Sequence, residues 1–202
     1  STPWLFGATS LLNMFWRESG KLEQVLQQIE EGRSLYCKLA PGHGAGACYV
    51  IQAEAMLMRG EDNEAEILCY KALYDARSHQ QTDICICTEL VLARIAILRG
   101  NVEGYFTATR NIRNYAKENS SLYILHMVEY CMSVIGLVLG MKDYMAPWLY
   151  DIDSMKEVLY APVIPHAQVL YLKLLFMEKR YNELYGVSQL ILDTSKNRNI
   201  KY

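Results

Sequence analysis

The chain has 202 residues, about half of them hydrophobic, and a formal net charge of −2. That length allows one large domain or two small ones, and the apolar content is enough for a continuous core. The near-neutral charge gives no electrostatic reason to expect nucleic acid or an anionic membrane as a partner. No basic, then apolar, then small-residue leader is recognisable, and no uncharged apolar stretch of the ~18 residues a membrane span needs. The six cysteines fall inside apolar helical patterns and read as small buried hydrophobes of a reducing cytosol. The chain opens on Ser1-Thr2-Pro3 with no initiator methionine, which suggests a fragment of a longer protein.

In chain order, helices are expected near Trp4–Ser19 and Leu22–Leu39, stopped by Pro41-Gly42. The second hairpin is expected as Ala45–Arg59 and Asn63–Ser78, joined by Gly60-Glu61-Asp62. Gly60 can take the left-handed conformation that closes a helix, and Asp62 or Asn63 can cap the next one. A third hairpin turns at Gly100 and a fourth at Gly140, with its second helix starting near Ala146 because Pro147 is tolerated in a first turn. A fifth pairs Pro165–Met177 with Asn182–Thr194, followed by a polar tail at Lys196–Asn199.

The turn glycines Gly20, Gly60, Gly100 and Gly140 recur every 40 residues, and Arg180 stands at the same phase without a glycine. A fixed period of this size is the mark of a solenoid. Small residues follow suit: Ala53, Gly60, Ala65 and Ala72 stand at intervals of 7, 5 and 7, a tetratricopeptide-like pattern. The period is longer than the roughly 34 residues of that repeat, so helices or connectors are longer here. The expected fold is all-α: a right-handed superhelical solenoid of about five helical hairpins filling residues 1–202 as one domain.

Gly42-His43-Gly44-Ala45-Gly46 could cradle an anion at a helix start, but it lacks a phosphate-loop lysine and reads better as an inter-repeat connector. The four histidines show no metal-ligand spacing. Cys85 and Cys87 would point ~200° apart on one helix and cannot share a metal. Asp151 and Asp153 also diverge, so no paired carboxylates suggest an enzyme. The more informative charges lie on first helices. Glu54 and Arg94 are 40 apart and equivalent in neighbouring units, and Glu89 and Glu129 form a second such pair. With Tyr130 and Arg17 they are candidates for a ligand or partner groove, since first helices line the inner face of such arrays. The competing reading is a structural Glu54–Arg94 bridge. Most of the fifteen tyrosines suit contacts between stacked repeats.

The stretch from Gly42 through Glu54, Arg59-Gly60, Ala65-Glu66, Lys71–Arg77, Gln80-Gln81 and Ile84–Cys87 to Leu92–Ala96 resembles the tetratricopeptide-like region of bacterial LuxR-type transcriptional regulators of the maltose-regulator kind. That resemblance implies a cytoplasmic sensor and protein-interaction region. It would lie between an N-terminal ATP-binding domain and a C-terminal helix-turn-helix. Neither flanking domain is recognisable. Gly20-Lys21 lacks the rest of a phosphate loop, and no basic recognition helix follows Asp193. Within this segment the resemblance implies no cofactor, no metal, no catalysis and no direct nucleic-acid or membrane contact. ATP belongs to the absent domain. The implied partner is an unidentified small-molecule or protein effector, and the parent could self-associate. The alternative is a scaffold solenoid for a peptide or protein, without an inducer. A small-ligand sensor should show a closed aromatic and polar pocket, and a scaffold an open groove.

Overall fold

The structure, a computed structural model, describes residues 44–159 and 164–197, together with Gln27 and Gly42. The expected first hairpin, with Arg17 and Gly20, lies outside the described residues apart from Gln27, as do His43 and Arg198-Asn199 of the polar tail. Regular structure among the described residues is entirely helical. The α-helices are α1 (Ala47–Met58), α2 (Asp62–Ser78), α3 (Thr82–Arg99), α4 (Val102–Glu118), α5 (Leu122–Leu139), α6 (Ile152–Val158), α7 (Ile164–Met177) and α8 (Tyr181–Asn197). Two short 3-10 helices, Lys142–Tyr144 and Pro147–Tyr150, separate α5 from α6.

One turn closes each first helix. Gly60, Gly100 and Gly140 have φ of 79°, 65° and 69°. The next residue's N–H donates back to a carbonyl five residues earlier: Glu61 to Met56 at 2.9 Å, Asn101 to Ala96 at 2.8 Å, Met141 to Gly136 at 2.8 Å. This is the Schellman arrangement, which satisfies carbonyls that a helix end leaves open. A Cβ on any of the three glycines would meet nothing within 4 Å. Glycine is therefore favoured there by backbone conformation alone. The fifth turn keeps the geometry with another residue. Lys179, one position before the phase expected at Arg180, has φ 59°, and Arg180 N–H donates to Leu175 O at 2.9 Å.

Helix starts are less uniform. Asn101 caps α4 by accepting from Gly104 N–H at 2.9 Å, and Asp151 caps α6 by accepting from Asp153 N–H at 3.0 Å. Neither Asp62 nor Asn63 caps α2. Glu61 holds the cap position with no side-chain bond, and Asp62 turns its carboxylate to Arg99 instead.

The helices pack in adjacent pairs, and the first helices form a row: α1 against α3, α3 against α5, α5 against α7. Second helices fill the joints, with α2 on α1 and α3, and α4 on α3 and α5. Small side chains permit this approach; Ala53, Ala65, Ala72, Ala76 and Ala93 are completely buried. Three successive apolar clusters result, one centred on Val50, Leu68 and Ile84, one on Ile86, Ile112 and Ile135, and one on Leu149, Met155 and Leu174. α5 is long and apolar enough to cross a bilayer, yet half of it is buried inside this packing.

The connector before α1 is built rather than loose. Gly46 sits at φ 87°, and a Cβ there would come within 2.5 Å of the Ala72 carbonyl oxygen. Gly44 N–H donates to Gln81 Oε1 at 3.1 Å, which ties the segment to the start of α3.

The fourth hairpin departs from expectation. No continuous second helix begins at Ala146. Pro147 does start a helical turn, but the residue before a proline is pushed to extended backbone, and Ala146 has φ −65° and ψ 142°. Its N–H donates to the buried Ser133 Oγ at 2.9 Å, and Trp148 Nε1 donates to Glu129 Oε2 at 2.8 Å. These bonds pin two short 3-10 turns onto α5 where one long helix would stand clear of them.

If the left-handed turn is a shared requirement, the two residue types should respond in opposite directions. Gly100→Ala should lower stability by ~1 kcal/mol, and Lys179→Gly should raise it by about 0.5–1 kcal/mol. Urea unfolding of both variants measures this, and equal midpoints for all three chains would contradict it.

Candidate functional site

A trough of about 690 Å³ is walled by α2 and α4, with α3 as its floor. Each wall is a ladder of residues four apart, because such positions stand one above the other on a helix. On α2 these are Glu66, Tyr70 and Tyr74; on α4 they are Glu103, Thr107 and Asn111. The floor is apolar in its middle, at Leu92, Ile95 and Ala96, and charged at both ends, at Glu89 and Arg99.

At one end Arg99 spreads over the start of α2. It donates to Asp62, to Glu66 Oε2 at 2.5 Å and to Asn63 Oδ1 at 2.7 Å. The bond from Arg99 holds the Asp62 carboxyl below its ordinary pKa of 3.8. Glu66 also accepts from the Tyr70 hydroxyl at 3.3 Å. Tyr70 and Tyr74 are 58% and 75% exposed as residues, high for side chains with so much apolar surface.

At the other end Glu89 is only 2% exposed. Its Oε1 accepts from Asn111 Nδ2 at 3.0 Å and from Arg77 Nη2 at 3.2 Å. Burial pushes the Glu89 carboxyl above its usual 4.5, against the opposing pull of Asn111 and Arg77. Tyr115 interacts with both Arg77 and Cys85 beneath this end, and burial pushes its phenol up to about 12. The trough thus offers two open aromatic faces, an amide, hydroxyls and charges of both signs.

The other candidates from the sequence fall elsewhere. Glu54 and Arg94 form a bridge between α1 and α3, with Arg94 Nη1 donating to Glu54 Oε1 at 2.5 Å and the glutamate side chain 6% exposed. Their equivalent phase brings them together, as the structural reading expects. Glu129 accepts from Trp148, and Tyr130 meets the His166 ring edge-on at 6.5 Å. Of the five candidates within the described residues, only Glu89 lines the trough. Glu89 and Glu129 nevertheless behave as equivalents, since each accepts a hydrogen bond from the second helical layer of its own unit, Asn111 for one and Trp148 for the other.

Sequence reasoning did not single out Tyr70, Tyr74, Arg77, Arg99, Glu103 and Asn111. The four-residue ladders on α2 and α4 were a usable signal. Cys85 packs in the first apolar cluster, and Cys87 lies between the first and second. Burial raises both thiols above their usual 9.0. Among the described residues no three His, Cys, Asp or Glu side chains converge as a metal site. A second hollow of about 490 Å³, between α5, α7 and α8, is lined almost wholly by apolar side chains such as Leu172 and Phe176. Comparison with protein-family models, with curated proteins and with solved structures returns no match.

Two stability measurements follow from this geometry. Glu89 has a raised folded-state pKa, so the folded chain binds more protons than the unfolded one above pH ~4.5. Its contribution is present below that pH and is lost as pH rises through the folded value. Glu89→Gln should therefore flatten the fall in stability between mildly acidic and neutral pH, and leave neutral-pH stability equal or higher. A loss of more than ~1 kcal/mol at pH 7 in urea unfolding would show that the Arg77 pair outweighs burial. For the nearly buried Glu54–Arg94 bridge, Glu54→Gln should cost about 1–3 kcal/mol. A double-mutant cycle with Arg94→Gln should return coupling of similar size, and a coupling near zero would contradict the bridge.

Proposed function

We propose that this chain is a binding module, a tetratricopeptide-like right-handed solenoid that holds a segment of a partner protein in the α2–α4 trough. The observation that carries this reading is the trough itself, amphipathic and walled by two helices, with the exposed Tyr70 and Tyr74 on one wall. Pockets for small molecules enclose most of the ligand surface. Walls whose tyrosines stand this exposed would leave much of a small ligand in solvent, which favours a peptide or protein occupant over an enclosed inducer. The repeated turns and the row of first helices support the solenoid reading, because each unit then touches only its neighbours.

Within that reading, and on the strength of the sequence resemblance alone, the module would be the sensor and interaction region of a cytoplasmic LuxR-type transcriptional regulator. ATP binding and promoter contact then belong to other parts of the parent. Partner binding would gate the parent only by favouring one of its states, which requires unequal affinity for them.

Selection of displayed random dodecapeptides on the immobilised chain tests the binding reading. It should enrich peptides whose affinity falls about tenfold or more when Tyr74→Ala removes a ring from the wall, in line with aromatic residues dominating interface energetics. Failure to enrich any peptide, or binding indifferent to Tyr74→Ala, would refute it.

A further inference from the structure

We infer that the occupant of the trough is a basic segment, one that brings at least one arginine or lysine to its Arg99 end. The inference rests on the partner-binding reading above and adds the chemistry of the partner.

The charge balance of the lining points to it. Three carboxylates (Glu66, Glu89 and Glu103) but only two guanidiniums (Arg77 and Arg99) face the hollow. The two differ in how far the protein engages them, since the Arg77 side chain stays 56% exposed while Arg99 is spread over several acceptors. Arg77 is tied to Glu89, and Arg99 is shared between Asp62 and Glu66, so one cation serves two carboxylates at that end. Glu103 adds a further carboxylate on the facing wall, in the first turn of α4, and no ion pair engages it among the described residues. The net charge left at this end is negative, and complementary potentials govern which partners dock.

The aromatic wall selects the same ligand. A cation over a tyrosine face is attracted by the ring's quadrupole. Tyr70 and Tyr74 are exposed tyrosines one helical turn apart on this wall, along the ladder from Glu66. An arginine or lysine stem could cross Tyr70 while its charged head reaches Glu66 or Glu103. At the Arg99 end an acidic segment would meet surplus carboxylates, since Arg99 is already shared between Asp62 and Glu66.

The dodecapeptide selection separates this inference from the reading beneath it. Enriched peptides should carry arginine or lysine. Synthetic copies with those residues replaced by glutamine should bind at least about fivefold more weakly by fluorescence anisotropy, and the affinity of the basic peptides should fall as salt rises. Glu103→Lys, at an exposed position where a change of side chain leaves the core untouched, should weaken the basic peptides by a similar factor. Circular dichroism melting of each variant confirms that the fold is retained. Enriched peptides that are neutral or acidic, yet lose affinity with Tyr74→Ala, would leave the trough as the binding site and overturn its basic occupant. Basic peptides indifferent to Glu103→Lys would overturn it as well. Failure to enrich any peptide, or indifference to Tyr74→Ala, would overturn both.

Discussion

Everything in this structure hangs on how each first helix ends. A left-handed residue and a hydrogen bond back to a carbonyl five residues earlier close α1, α3, α5 and α7 alike. The motif fixes the direction in which the chain leaves the helix, and α2, α4 and α8 each pack back on the helix before them. α2 and α3 are joined in the same way, with Gln80 at φ 55° and Gln81 N–H donating to Ala76 O at 2.8 Å. Most of these turns spend a glycine where any other residue would be strained. At Gln80 and Lys179 the chain carries the strain with an ordinary side chain, which shows that the surrounding packing imposes the geometry.

The trough is a consequence of that regularity. First helices stack into a row, held by apolar contacts and by the Glu54–Arg94 bridge. The second helices α2 and α4 each lie on α3, and the space between them stays open above its apolar middle. Small residues at Ala72 and Ala76 bring α2 down onto its neighbours, while its other face carries Glu66, Tyr70 and Tyr74 outward. Polar ladders on facing walls are what an interior between two helices would exclude, because buried polar groups without partners are costly. Their presence here marks the space between α2 and α4 as solvent-facing surface, and on that surface the proposed binding rests.

The helical hairpins were legible in the sequence because glycine periodicity and alanine spacing report the two tightest constraints, turn conformation and helix approach. Boundaries of α1 and α2 fell within a few residues of expectation. The fourth hairpin was misread for a physical reason: Pro147 permits a helix start, but Ser133 and Glu129 on α5 capture Ala146 and Trp148, and such tertiary bonds leave no mark in a local pattern. The candidate site was legible only in part. Glu54 and Arg94 were paired correctly by repeat phase. Glu89 was found as a charge on a first helix. The tyrosines read as packing between repeats, because sequence alone does not say that Tyr74 stands three-quarters exposed while Tyr171 is buried.

The most direct measurement is an amide chemical-shift titration of the folded chain with a peptide selected on it. The account predicts that shifts concentrate on α2 and α4, around Glu66, Tyr70, Tyr74, Glu103 and Thr107, with α7 and α8 silent. Shifts confined to the apolar hollow of α5, α7 and α8, near Leu172 and Phe176, would place binding at the other end of the molecule and contradict it.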